Sequence, residues 1–203
     1  DLQPSPDLAE SWTISEDGLV WTFHLRKDVK WHDGQPFTAE DVRFTFMDIV
    51  LNPDVPSSST ANFRNVEEVV VVDDYTVEFH LSRPQASLAS YLAYNAGILP
   101  SHVLKGTDVM NNAAFNKGNP VGTGPFKLVD YVSGQHVVLE RFDDYFAGAP
   151  LLDQIQYRVV PDANTQLSQL LTGELSIVIV EQASNVERLE REASIRIDAT
   201  PQL

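Results

Sequence analysis

The 203-residue sequence contains no cysteine. Disulfide scaffolds, thiolate zinc sites and cysteine nucleophiles are therefore excluded together. Basic residues are also few: 14 Lys and Arg stand against 29 Asp and Glu, which gives a formal net charge of −15. Proteins that bind nucleic acid or anionic membranes neutralise phosphates with basic patches, so neither is expected as a partner.

Long hydrophobic runs are lacking as well. The longest aliphatic runs are Val69–Val72 and Ile177–Val180, whereas a membrane-spanning helix needs about 20 apolar residues. With 43% hydrophobic residues, the chain can still fill the core of one or two domains. The chain opens at Asp1 without a basic and apolar leader, so we expect either that a leader was removed or that the sequence is an excerpt.

Alternating apolar and polar residues predict two hairpins in the first part of the chain. Apolar side chains occupy every second position of residues 19–26, and the turn residues before them place a partner strand within residues 10–26. Residues 66–72 and 75–81 flank Asp73-Asp74 and predict the second hairpin.

A helix is predicted between these hairpins. Thr38 and Asp41 resemble a capping box, and apolar residues follow at helical spacing for about three turns. The helix is expected to end at Asn52-Pro53. The polar residues that follow predict a mobile loop over 52–63.

The second part of the chain alternates strands and helices. Strands are predicted over 126–132, 136–141 and 155–160, and a helix begins after Asp162 and ends at Gly173. Ile177–Val180 is predicted to be a buried strand. This order of elements is typical of an α/β fold.

The motifs of common catalytic sites are absent from the sequence. It contains no GxSxG, HExxH or GxxxxGK[ST] motif and no GxGxxG that opens a helix. None of the five histidines has another four residues away, so metal ligation is not expected. The pairs Asp73-Asp74 and Asp143-Asp144 leave a carbohydrate hydrolase as an alternative, but neighbours on a strand point to opposite faces. We expect no catalytic residue, no metal and no cofactor.

One short segment has the residue types of a ligand-facing element. Tyr91, Tyr94 and Asn95 precede a break in the chain at Gly97 and Pro100. An aromatic ring and an amide at the end of an element can face a ligand. Packing in the core is the alternative role for these side chains.

Taken in order, several segments resemble the family 5 extracellular solute-binding proteins of ABC importers, which include peptide-, oligosaccharide- and nickel-binding members. The resemblance covers nearly the whole chain. It is carried by LAESW at 8–12, LRKDVKWHDGQPFTAEDV at 25–42, PVGTGPF at 120–126, DDYF at 143–146, VVPD at 159–162 and GE at 173–174.

The resemblance implies a periplasmic-binding-protein-like α/β fold of type II, the two-lobed Venus-flytrap architecture. Residues 1–37 and 120–180 would form the discontinuous mixed sheet of the first lobe, and residues 38–119 an inserted α+β subdomain. Residues 181–203 would be the hinge crossover and the start of a second lobe that is largely missing. The chain is therefore expected to be a first-lobe fragment.

The same resemblance implies a receptor rather than an enzyme. The protein would capture peptides or a similar small solute between its lobes and deliver them to an ABC permease in the membrane. It would be periplasmic or extracellular, and a lipid anchor would belong to a segment outside these residues. An oligosaccharide-binding protein and a signalling receptor on the same fold stay open as alternatives.

By analogy with the family, Tyr94, Asn95, Ala96 and Gly97 would approach the ligand, and Val180, Glu181 and Gln182 would form the hinge. The segment Gly122-Thr123-Gly124 would return the chain to the main sheet, which is a structural role. The sequence departs from the family pattern at Ser176, where an acidic residue is usual. It also has Ala96 near the position of an arginine in the nickel-binding branch, which makes a nickel chelate a less favoured ligand.

Overall fold

The computed structural model describes residues 3–180 and 182–198. The first part of the chain contains two hairpins separated by a helical segment. Its elements are β1 (Ala9–Ile14), β2 (Val20–Leu25), α1 (Ala39–Arg43), a π-helical continuation (Phe44–Val50), α2 (Thr60–Phe63), β3 (Val66–Asp73) and β4 (Thr76–Leu81).

The rest of the chain alternates short helices and strands. Its elements are α3 (Leu88–Asn95), α4 (Ser101–Leu104), a 3₁₀ turn (Val109–Asn111), a π turn (Ala114–Gly118), β5 (Phe126–Val132), β6 (His136–Arg141), β7 (Gln154–Arg158), α5 (Ala163–Thr172) and α6 (Ala183–Leu189). None of the helices in the described part of the chain is both long and apolar enough to span a membrane.

Both predicted hairpins form, and they join in one antiparallel sheet with the strand order β1-β2-β4-β3. The core face of this sheet carries the apolar residues that alternate along β2 and β4. They pack with the helical segment 39–50 and with other buried side chains into one cluster, which includes Trp21, Phe23, Leu25, Phe46, Phe63, Val77, Phe79 and Leu81.

The helix predicted after Thr38 begins where the capping residues place it. The Asp41 carboxylate accepts a hydrogen bond from the Thr38 backbone N–H at 3.0 Å, which satisfies one of the free donors at a helix start. From Phe44 onward the helix widens to π geometry. At this point the Thr45 hydroxyl donates to the carbonyl of Asp41 at 2.7 Å, and such a bond to the preceding turn distorts a helix.

The expectation of a mobile loop over residues 52–63 is wrong for its last four residues. They form α2, and Phe63 is completely buried against the rings of Phe46 and Tyr91. The polar composition of the segment hid this role, because one large apolar side chain is enough to attach a short helix to a core.

The expectation of a buried strand at Ile177–Val180 is also corrected. No strand is assigned over the described residues 173–180, and Ile177 and Ile179 are 87% and 86% exposed. The aliphatic run shows a preference for extended backbone, but a strand also needs a neighbouring strand for its hydrogen bonds.

The sheets divide the chain differently from the sequence-based expectation. β1 and β2 share their sheet with β3 and β4, whereas β5, β6 and β7 form a separate sheet. Residues 1–37 therefore pair with strands of 38–119 and not with those of 120–180. Apolar alternation defines the buried face of a strand but not its partner, so the sequence did not reveal this pairing. The division into 1–37 with 120–180, 38–119 and 181–203 as domains stays a prediction.

The chain separates into two compact units. Among the described residues, the first unit contains 3–131 and 137–156, and the second contains 132–136, 157–180 and 182–198. In the second unit, α5 begins at the Asp162 cap, whose carboxylate accepts from the Thr165 N–H at 2.8 Å. It ends at Gly173 with a left-handed φ of 79°, as the sequence predicts.

Candidate functional site

The four residues predicted to face a ligand lie where α3 ends. Tyr94 and Asn95 are the last residues of the helix, and Ala96 and Gly97 follow in the chain. The Tyr94 side chain is 90% exposed, whereas Ala96 packs against the hydrophobic core. A Cβ added to Gly97 would meet no atom within 4 Å, so the space beside this residue is open. The segment therefore presents the Tyr94 ring to solvent and packs against the core two residues later, at Ala96.

The backbone of Asn95 accepts a hydrogen bond from a residue that the sequence analysis did not single out. The Ser59 hydroxyl donates a hydrogen bond to the Asn95 carbonyl at 3.0 Å. The neighbouring Thr60 hydroxyl donates to the Val50 carbonyl at 2.7 Å. This hydrogen bond attaches the loop that contains Ser59 to the end of the helical segment. The run of hydroxyl residues at 57–60 was the available signal, but it equally fits an unattached loop.

Two buried polar side chains bind the backbone that follows this segment. The Thr45 hydroxyl accepts from the Leu99 N–H at 2.9 Å. The Asp41 carboxylate accepts from the Ser101 N–H at 2.9 Å and from the Ser101 hydroxyl at 2.7 Å. The capping pattern drew attention to Asp41, but nothing in the sequence shows that its other oxygen reaches residue 101.

An apolar cavity of about 530 Å³ adjoins this segment. Its wall consists of core-face side chains of the sheet, the apolar face of α3 and the N-terminal residues 3–9. Ala96 and Ile98 line it, whereas Tyr94 and Asn95 do not. The four predicted residues thus do not converge on one surface: Ala96 faces the interior and Tyr94 faces solvent. The lining includes Trp12, Phe23, Phe37, Phe46, Val77, Phe79, Leu92, Ala93, Ala96 and Ile98.

His32 has a structural role in this unit. Its Nδ1 accepts from the Gly122 N–H at 3.2 Å, so the proton of the neutral ring is on Nε2, which donates to the Gly124 carbonyl at 2.9 Å. Burial lowers the pKa of His32, although the hydrogen bond to Gly124 opposes this effect. A Cβ at Gly122 would lie 3.3 Å from the His32 ring. The close approach explains why a glycine occupies this position.

The carboxylates of the Asp143-Asp144 pair, one of the two pairs considered for catalysis, are engaged in ion pairs. Asp143 pairs with Arg141 at 2.8 Å, and Asp144 pairs with Lys30 at 2.8 Å, so the two do not face one site. Within residues 3–180 and 182–198, no group of three or more histidine or acidic side chains is arranged to hold a metal ion.

The predicted hinge spans a one-residue gap in the described residues. Val180 lies in the segment without regular secondary structure that follows α5, and Gln182 immediately precedes α6. Glu181 lies outside the described residues. The hinge role of these three residues stays a prediction.

Comparison with known proteins places the chain in a family. Residues 3–203 match the model of the bacterial extracellular solute-binding proteins, family 5 Middle, and the chain belongs to this family. Its members are binding proteins of the periplasm or the cell exterior. The predicted family and the predicted class of fold are thereby confirmed.

The curated relatives include peptide-binding proteins. The oligopeptide-binding protein AppA of Bacillus subtilis is 33% identical over 192 residues, which cover 94% of this chain and 35% of AppA. The dipeptide-binding protein of Escherichia coli is 34% identical over 218 residues, which cover 98% of this chain and 40% of that protein. The chain thus spans two fifths or less of the length of these relatives.

Solved structures of the family match the fold closely. NikZ of Campylobacter jejuni in complex with Ni(L-His) has a TM-score of 0.84 at 31% identity, covering 93% of this chain and 37% of NikZ. Bacillus subtilis AppA in complex with a nonapeptide has a TM-score of 0.77 at 35% identity, covering 83% of this chain and 34% of AppA. Structures of similar fold therefore hold different kinds of solute.

Proposed function

We propose that the protein containing this chain is the solute-binding component of an ABC importer and that it captures peptides. The family match over residues 3–203 is the observation that carries this proposal. Peptides are favoured because AppA and the dipeptide-binding protein, each at least 33% identical to this chain, are named for peptide ligands. As a receptor, the protein does no chemistry on the solute and delivers it to a membrane permease.

The end of α3 is the proposed ligand contact in this lobe. Tyr94 offers an exposed ring with a hydroxyl, a side chain that contributes large contact area at a low cost in conformational entropy. Asn95 offers an amide that can both donate and accept, as a peptide backbone requires. The open space beside Gly97 gives a ligand room to approach the chain.

The ligand would be enclosed between this lobe and a second lobe formed mainly by residues outside the chain. Val180, Glu181 and Gln182 are the proposed crossover, and closure of the lobes would present a joined surface to the permease. The protein would act in the periplasm or outside the cell. A lipid anchor, where the protein has one, would lie outside these residues.

The test uses the longer protein that contains this chain. Small-angle scattering should detect compaction when trialanine or a synthetic nonapeptide is added, and calorimetry should give the affinity. Tyr94→Ala and Asn95→Ala should each weaken binding by about tenfold, equivalent to about 1.4 kcal/mol. Tyr131→Ala is the matched control, because this exposed tyrosine lies on β5.

The ligand panel should also contain Ni(L-His) and an oligosaccharide mixture, because NikZ holds a nickel chelate on a similar fold. Binding of the chelate or the sugar in place of the peptides would contradict the peptide assignment while keeping the receptor role. The absence of compaction with every solute would contradict the receptor role itself.

A further inference from the structure

The backbone from Asn95 to Ser101 is held by three separate side chains. Ser59 binds the Asn95 carbonyl at the front of the segment. Thr45 binds the Leu99 N–H, and Asp41 binds the N–H and hydroxyl of Ser101. Residues 94–97 are thus followed closely by two backbone donors, the Leu99 and Ser101 N–H groups, that bond to buried side chains.

Asp41 and Thr45, which bind the backbone at Ser101 and Leu99, are polar side chains that are almost completely buried. They are 2% and 1% exposed and are the buried polar residues among those described. Burying polar groups costs free energy unless each finds a hydrogen-bond partner. Each of them finds one of its partners on the segment around Pro100, 60 positions further along the chain for Asp41 and 54 for Thr45. The helical segment therefore carries two polar side chains into the core where they meet this backbone.

The geometry also connects the two residues with each other. They are four positions apart, which puts them on the same side of a helix, and the Thr45 hydroxyl donates to the Asp41 carbonyl while it accepts from Leu99. The Thr45 hydroxyl is thus fixed both as a donor, to Asp41, and as an acceptor, from Leu99. A displacement of Leu99 would break the second hydrogen bond and leave the partly buried Leu99 N–H without this partner.

We propose that Thr45 and Asp41 are positioning residues for the ligand segment Tyr94–Gly97. By fixing the backbone at Leu99 and Ser101, they set the place and direction in which the end of α3 meets the solute. This inference rests on the proposed function for its ligand, but the conformation of the segment can be measured without any ligand.

The decisive comparison is between Thr45→Val and Thr45→Ser. Valine keeps the branched shape and removes the hydroxyl, whereas serine keeps the hydroxyl. Amide hydrogen exchange by NMR on the 203-residue chain should show exchange at Leu99 and at residues 95–97 faster by about tenfold or more in Thr45→Val. Thr45→Ser should restore protection.

A second variant separates positioning from general loss of stability. Leu81→Ala removes buried side-chain volume from β4 without touching the hydrogen bonds to the segment. Exchange is then compared under conditions in which Leu81→Ala and Thr45→Val have equal global stability. If residues 95–97 exchange equally fast in both variants, or if they are unaffected in Thr45→Val, the positioning role is overturned.

Binding of trialanine to the longer protein completes the test. Where the wild-type protein binds this peptide, Thr45→Val should weaken binding by about tenfold and Thr45→Ser by less than about threefold. Equal affinity in all three proteins would overturn the inference. Where the wild-type protein binds neither trialanine nor the nonapeptide, the peptide assignment fails, and the exchange comparison alone decides the role of Thr45.

Discussion

Replacing Asp41 with asparagine tests how much of the fold depends on one buried carboxylate. The two oxygens of Asp41 accept from Trp31 Nε1–H at 3.1 Å, from the Thr38 N–H at 3.0 Å, and from the N–H and hydroxyl of Ser101 at 2.9 and 2.7 Å. All four partners are donors. Asparagine keeps one acceptor oxygen and puts an amino group, which can only donate, in place of the other.

The loss of stability is worked out for the orientation of the asparagine amide that keeps more of the four hydrogen bonds. The oxygen then faces Trp31 and Thr38, and the Ser101 hydroxyl rotates to accept from the amino group. The Ser101 N–H still meets a donor and loses its partner. A hydrogen bond to a charged group contributes about 1.5–3 kcal/mol, and an unpaired buried N–H costs about 1–3 kcal/mol. We expect Asp41→Asn to lower the free energy of unfolding by about 3–5 kcal/mol.

The measurement is urea unfolding followed by circular dichroism, together with a thermal scan. A loss of this size corresponds to a fall in Tm of about 6–20 °C for a chain of this length. Asp48→Asn is the matched control on the same helical segment, because Asp48 pairs with Arg43 at 3.2 Å and is partly exposed. Such pairs contribute about 0–1 kcal/mol. A loss for Asp41→Asn no larger than that for Asp48→Asn would refute the reasoning.

Three further predictions concern pH and backbone conformation. Burial lowers the pKa of His32 from 6.5 in the folded chain, so the unfolded chain binds the proton more tightly and stability falls as the pH drops below about 6.5. His32→Gln should make urea unfolding less dependent on pH between 7 and 5, and an unchanged dependence would contradict this. The pKa of Glu40 is lowered to about 2, and the Arg43 guanidinium is the first of the partners that lower it. In Arg43→Met, NMR titration should find the pKa of Glu40 closer to 4.5. A value still near 2 would show that Arg43 is not the cause of the lowered pKa. The stability this pair provides is present above pH 4.5 and is lost as the pH falls toward 2. Gly173→Ala should cost about 1 kcal/mol in urea unfolding, because alanine is strained at a φ of 79°. Gly124→Ala, at a position without positive φ, should cost less than about 0.5 kcal/mol; equal losses would argue against the backbone explanation.

Much of the local structure could be predicted because it depends on neighbouring residues. The alternation in 19–26 marks one face of β2, and Thr38 with Asp41 marks the start of a helix. Gly173 marks the end of α5. Each of these signals acts over a few residues, within the reach of one turn or one strand.

The candidate site could be predicted only in part. The aromatic and amide residues before Pro100 predict a ligand contact there, which stays a prediction, and the structure shows that Tyr94 is exposed. The inward direction of Ala96 and the support from Ser59 and Thr45 could not be predicted. These contacts join residues 36 to 54 positions apart, and a sequence pattern carries no information about distances of that kind.

Composition, local periodicity and ordered motifs are enough to predict most of the elements, the acidic character and the family of this protein. Three features became visible only in the folded chain: the two hairpins share one sheet, Phe63 enters the core, and Ile177 and Ile179 lie exposed. Periodicity fixes which side of a strand or helix is apolar, but many partners can cover that side. The choice among them depends on how distant segments fill space and satisfy buried polar groups together.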